Sequence, residues 1–174
     1  MATGAVITVL VPLQLISALR RRLPGLHRWS GRLIILAALA TALGGLIYIP
    51  LRGTIGGPLM DVGFSIYGAL MLLAAAQTIL HARARRIVAH NEWALRFFWL
   101  ALGSWLYRVH YGLWYLVTDG LWSNPEFTGG FDHVQNFAFY LPYLIGVEIY
   151  LRRKRQGRRR ATKRSPDTQR LSNS

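Results

Sequence analysis

The sequence predicts an all-helical integral membrane bundle of five transmembrane helices, and three observations carry that expectation. Hydrophobic residues make up 52% of the 174 positions. They gather into runs close to the roughly 20 apolar residues a bilayer-spanning helix needs. The runs are nearly bare of charge on every side, whereas a soluble helix of this kind keeps one polar face. Finally, 21 Lys+Arg stand against 7 Asp+Glu, a net charge of +14, and the basic residues cluster between alternate runs.

The first span covers about Ala2 to Leu19 and is interrupted by Pro12 and Gln14. Its start, MATGAVITVL, lacks the positively charged n-region of a signal peptide and reads as a retained segment. The second span runs from Leu33 to Leu51. The third, Leu59 to Leu80, follows the turn signal GTIGGP. The fourth, Trp93 to Val117, and the fifth, Val134 to Leu151, flank the loop TDGLWSNPEFTGGFD. Residues 1–151 thus form the bundle. Residues 152–174, RRKRQGRRRATKRSPDTQRLSNS, are too polar to bury a core and are expected to be a disordered, basic cytoplasmic tail near anionic headgroups.

Cytoplasmic loops collect Lys and Arg. All basic residues except Arg52 and Arg108 fall between spans one and two, between spans three and four or in the first turn of span four (Arg96), or after span five. An odd number of spans puts those three regions on one side of the membrane. The expected orientation therefore has the N-terminus outside and the C-terminus in the cytoplasm. Lys154 and Lys163 are the only lysines, a bias that a GC-rich bacterial source would give, so the expected setting is the bacterial cytoplasmic (inner) membrane. The expected partners are the lipid bilayer and its anionic headgroups. A nucleic-acid partner is a poor reading, because the charge sits at the ends of apolar runs. With no cysteine in the chain, disulfides, thiolate metal sites and thiol nucleophiles are excluded. No catalytic triad, paired-carboxylate site or phosphate loop is visible, so no catalytic residue is assigned.

Two basic segments resemble each other. RRRLPGLHRWSGR and RARRIVAHNEWALR share an Arg run, one His, and a Trp and Arg three apart. With the same direction through the membrane, they are compatible with two parallel two-helix repeats plus a fifth helix. These residues resemble the DUF2306 (domain of unknown function) family of bacterial predicted multi-pass membrane proteins. The likeness rests on Leu26, His27, Arg28, Trp29, Gly31 and Arg32, then His90, Trp93 and Arg96, then Arg108. It covers roughly residues 5 to 115 and implies a multi-pass membrane protein with no established activity.

The interfacial reading makes Trp29 and Trp93 headgroup-depth anchors and Arg32 and Arg96 phosphate ligands. The sharper reading makes His27 and His90 axial ligands of haem b, as in membrane electron-transfer proteins. Small residues support it: Gly31, Ala38, Ala42 and Gly45 lie below His27, and Phe97, Ala101 and Ser104 share the face of His90. A third histidine, His81, belongs to the same region and raises a three-histidine metal site, although no metal ligand set is assigned. His110 and His133 take solvated or packing roles. Arg108 lies 18 residues beyond His90, about 27 Å along a helix axis. A buried arginine costs several kcal/mol without partners, which points to Asp61 or Asp132 as counter-charge or, in a small transporter, to an anion path. The first expectation for function is a non-catalytic membrane or accessory component. The haem protein and the transporter are its alternatives.

Overall fold

The computed structural model describes residues 22–171, with side-chain surroundings as far as Arg158. Among the described residues there are five helices and no strand: α1 (Pro24–Arg52), α2 (Gly57–Arg83), α3 (Ile87–Thr118), α4 (Gly130–Ala138) and α5 (Leu141–Leu171). The expected first span lies outside the described residues, and so does the helix needed to compare the two halves of a parallel repeat.

Helix α1 opens on Pro24, at a position where a helix has no use for the missing N–H. It closes at Gly53, whose φ of +69° suits glycine and whose N–H bonds to the Ile49 carbonyl at 2.8 Å. Asp61, one turn into α2, accepts the Thr54 N–H at 2.6 Å and fixes the connection. The turns after α1 and α2 are short, so α1, α2 and α3 run up, down and up. Helix α2 is the centre, packed against α1 and α3, with α4 resting on it and α5 against α3. The buried stripe Ile34, Ala38 and Ala42 of α1, spaced one turn apart, meets Met71, Ala74 and Ala75 of α2. Small residues there let the two backbones approach closely.

Among the described residues, two helices, α1 and α2, are long and apolar enough to cross a membrane. Helix α3 has 32 residues, about 48 Å of helix, but is broken up by His90, Asn91, Glu92, Arg96 and Arg108.

The expected continuous fifth span does not form. The chain is helical to Ala138, turns through Phe139 and Tyr140, and restarts at Leu141. Pro142 explains the break: its ring collides with the carbonyl four residues back and it has no N–H to bond to it, so it is accommodated in the first turn of a new helix. Phe139 and Tyr140 are wholly buried at the corner, where Phe139 meets Tyr67 edge-on at 4.9 Å between centroids. The boundary expected at Leu151 also falls inside a helix, because α5 continues through the basic residues that follow.

Candidate functional site

Leu23 and Arg86 stand just before α1 and α3, and each takes the first helical hydrogen bond, from His27 N–H at 3.1 Å and from His90 N–H at 2.9 Å. The two histidines therefore occupy the same fourth position of their helices, one turn in. Both line one cleft of about 1020 Å³, enclosed by the start of α1, the end of α2, the start of α3 and the far part of α5. The basic segments that the sequence places on one side of a membrane thus meet at one end of the bundle.

The cleft has an apolar floor, including Ile34, Ile35, Leu39, Phe97 and Phe98, and a cationic rim of Arg28, Arg32, Arg83, Lys154, Arg155 and Arg158. Glu92 is the acidic side chain among its described lining residues, and it is held by Arg155, whose Nε donates to Oε1 at 3.0 Å and whose Nη2 donates to Oε2. The Arg155 guanidinium holds the Glu92 carboxyl below the usual carboxylate range. The same contact fastens α5 to α3 beyond Leu151, which is why the helix does not end where the apolar run ends.

His90 Nδ1 lies 3.0 Å from the Thr78 carbonyl oxygen. A carbonyl only accepts, so Nδ1 carries the hydrogen and donates. The neutral ring then keeps its lone pair on Nε2, the tautomer a metal ligand needs. Among the described residues no three His, Asp or Glu side chains gather to hold a metal ion, so His81 completes no such set.

The two Trp-x-x-Arg units repeat locally and diverge in surroundings. The Arg32 guanidinium lies 5.8 Å from the Trp29 ring centroid, and that of Arg96 lies 4.8 Å from the Trp93 centroid. Trp29 is 70% exposed and Arg32 faces the cleft. Trp93 packs on the core, and Arg96 turns inward to donate to Glu148 Oε2 at 2.5 Å. Arg96 is therefore an internal tie between α3 and α5. The signal for it was Glu148 itself, an acid inside an apolar run that requires a partner.

Arg108 has neither expected counter-charge. Asp61 is engaged by Thr54. Asp132 is fully buried and accepts from the Tyr111 and Ser123 hydroxyls at 2.7 Å and from the N–H groups of Asn124 and Gly129. Burial opposes ionisation of Asp132, yet these bonds outweigh it and lower its pKa. Arg108 is exposed, and its Nη1 donates to the Ser104 carbonyl at 3.0 Å. The spacing from His90 places it on the buried face only if that face is straight. Burial instead moves from Phe97 and Ala101 to Gly103 and Leu106 along α3, leaving Arg108 outside it.

Sequence reasoning also missed the polar cluster at the end opposite the cleft. His110, expected in a solvated or packing role, contacts the Tyr143 hydroxyl through Nε2 at 2.8 Å and the Gln135 amide through Nδ1. It joins α3 to both α4 and α5. The turn residues around Thr128 and Gly129, with Asp132 three positions on, are the sequence signal for an acidic helix start at α4.

Among the described residues, two helices of membrane-crossing length and a cluster of cations at one end are features of a membrane protein. The chain matches, over residues 1–139, the family described as "Predicted membrane protein (DUF2306)", and it belongs to that family. No curated protein and no solved structure matches it.

Proposed function

We propose that the protein is a non-catalytic component of the bacterial cytoplasmic membrane that holds an amphipathic anionic ligand in the cleft at its basic end. The single observation behind this is the lining: an apolar floor, a rim of six cations, and about 1020 Å³ of space. That volume is at the upper end of the range for small-molecule pockets. Clustering of nearly all basic residues at this end supports a cytoplasmic cleft and C-terminus, with α3 and the α4–α5 pair joining α1 and α2 in the bilayer. Mass spectrometry of lipids and small molecules carried through detergent purification tests the reading. An anionic amphiphile retained by wild type and lost from an Arg28→Gln/Arg32→Gln double variant is expected. Equal retention by the two would overturn it.

A second reading makes that ligand haem b, held axially by His27 and His90. What favours it is the position of both imidazoles on one cleft and the His90 tautomer set by the Thr78 carbonyl. The rim cations suit the two carboxylates of the macrocycle. Protein expressed with haem supplied is expected to show a Soret band that shifts on dithionite reduction and is lost in His90→Ala. A colourless protein would leave a non-haem amphiphile as the ligand. Transport through Arg108 has less support, since Arg108 is absent from the described cleft lining.

A further inference from the structure

Arg108 sits in the second half of α3, ten residues before its end at Thr118, so about 15 Å from that end and about 8 Å past the middle of the helix. With a hydrocarbon core about 30 Å thick, a spanning α3 carries this guanidinium well inside the membrane. Side chains on a helix tilt toward its N-terminus, and Arg108 follows that tilt, donating to Ser104 one turn nearer the basic end. It is directed away from the closer membrane surface, the opposite of snorkelling toward headgroups. An intramembrane arginine needs opposite charge, carbonyls or water around it, and the Ser104 bond uses one of its five N–H donors.

The rest of the chain does not supply an opposite charge. Glu92 and Glu148 are paired with arginines, Asp61 is bonded to Thr54, and Asp132 is enclosed by four donors. Asp119 and Glu126 lie beyond the end of α3. Asp167 belongs to the basic segment at the other end, and residues 1–21 contain no Asp or Glu. A second copy has no exposed carboxylate along its helices at this depth either, and two Arg108 side chains meeting across a twofold axis would repel. The surface around Arg108 is shaped for a helix. Trp105, Arg108, Gly112 and Leu116 form one exposed stripe at helical spacing, and a Cβ built on Gly112 would meet nothing within 4 Å. Glycine at such a point lets a neighbouring backbone come close.

We propose that the Arg108 face of α3 docks a transmembrane helix of another membrane protein that carries an Asp or Glu at matching depth. This rests on α3 crossing the bilayer, as proposed above. The test uses two synthetic polyleucine helices, identical except for a central Glu or Leu, and the full-length protein in phosphatidylcholine vesicles, with association read by energy transfer. Wild type is expected to bind the Glu helix about tenfold more tightly than the Leu helix. The preference should vanish in Arg108→Gln and persist in part in Arg108→Lys. Equal binding of the two helices to wild type, or a preference that survives in Arg108→Gln, overturns the proposal. So does Arg108-dependent transfer between two labelled copies of the protein, or loss of the preference in phosphatidylglycerol vesicles, which would give Arg108 to a headgroup. The chain has no cysteine, so Leu102→Cys, a half-buried position at the middle of α3, reports the depth of the helix separately. Its labelling by a water-soluble maleimide would overturn the span itself. A protected Leu102→Cys without peptide preference overturns the docking face alone.

Discussion

Gly63 and Gly103 are the residues on which the closest approaches in the bundle depend. A Cβ at Gly103 would lie 2.9 Å from the Tyr67 ring, and Tyr67 cannot yield easily, because its hydroxyl is bonded to the Leu100 carbonyl at 2.6 Å. At Gly63 the Cβ would lie 2.8 Å from the Asn136 carbonyl oxygen, which belongs to backbone. Overpacking of this kind costs about 1–3 kcal/mol, so Gly63→Ala and Gly103→Ala are expected to lower the melting temperature in detergent by several degrees. An unchanged melting temperature would mean that α2 and its neighbours can separate freely. Asp132→Asn tests a different contact. It turns one carboxylate oxygen, now accepting from hydroxyl or N–H donors, into a donor. The expected loss is about 1–3 kcal/mol for leaving such partners unmatched. The Gly129 bond to Asp132 was legible as a helix start, whereas those from Ser123 and Asn124 in the preceding loop and from Tyr111 on α3 were not, since each donor is unremarkable alone. That His27 and His90 open equivalent helix starts at one end of the bundle was legible, because both carry the same local motif.

At the scale of elements, the positions of helices are easier to read from sequence than the way they lean. The spans at Leu33 to Leu51 and Leu59 to Leu80 lie inside α1 and α2, as continuous apolar runs on either side of a glycine-rich turn should. An apolar run from Val134 to Leu151 hid the corner that Pro142 makes. Arg108 was misplaced for a related reason: a spacing of 18 residues defines a face only along a straight contact, and the neighbours of α3 change along its length. The α3–α5 contact rests on two ion pairs near the cleft, Arg96 with Glu148 and Arg155 with Glu92. Removing one member of a partly buried pair strands the other. Glu148→Gln is therefore expected to destabilise the fold more than Arg152→Gln, since Arg152 is 73% exposed and adds a 3.4 Å contact. Chemical denaturation of the two variants checks the ranking. Equal losses would show that Arg96 is satisfied by other means.

For the whole molecule, charge sets the pH response and, on the proposed topology, the orientation. Glu92 and Asp132, just ahead of the apolar runs that begin at Trp93 and Val134, have pKa values lowered in the fold. A lowered carboxylate stabilises the folded state above its unfolded pKa, and that contribution is lost as pH falls through the folded value. Stability at opposite ends of the bundle should accordingly decline together as pH drops below about 4, and Arg155→Gln should flatten the part due to Glu92. A melting temperature that rises on acidification would contradict both assignments. A reporter active only in the cytoplasm, fused after Ser174, is expected to be active, and replacing the arginines between residues 83 and 96 should weaken that bias.

The corner at Phe139 and Tyr140 bears on how the chain is made. From Leu141 to Leu151 the apolar part of α5 measures only about 16 Å, half of a bilayer core, and α4 before it carries Asp132, Gln135 and Asn136 on its buried side. Neither piece resembles a stop-transfer signal by itself. On the topology proposed above, the insertion machinery hands them to helices already in the membrane, where the acids and amides find their partners. Order of synthesis then becomes order of assembly: the last elements enter by docking on the first, and a defect in α2 or α3 surfaces as failed integration of α5.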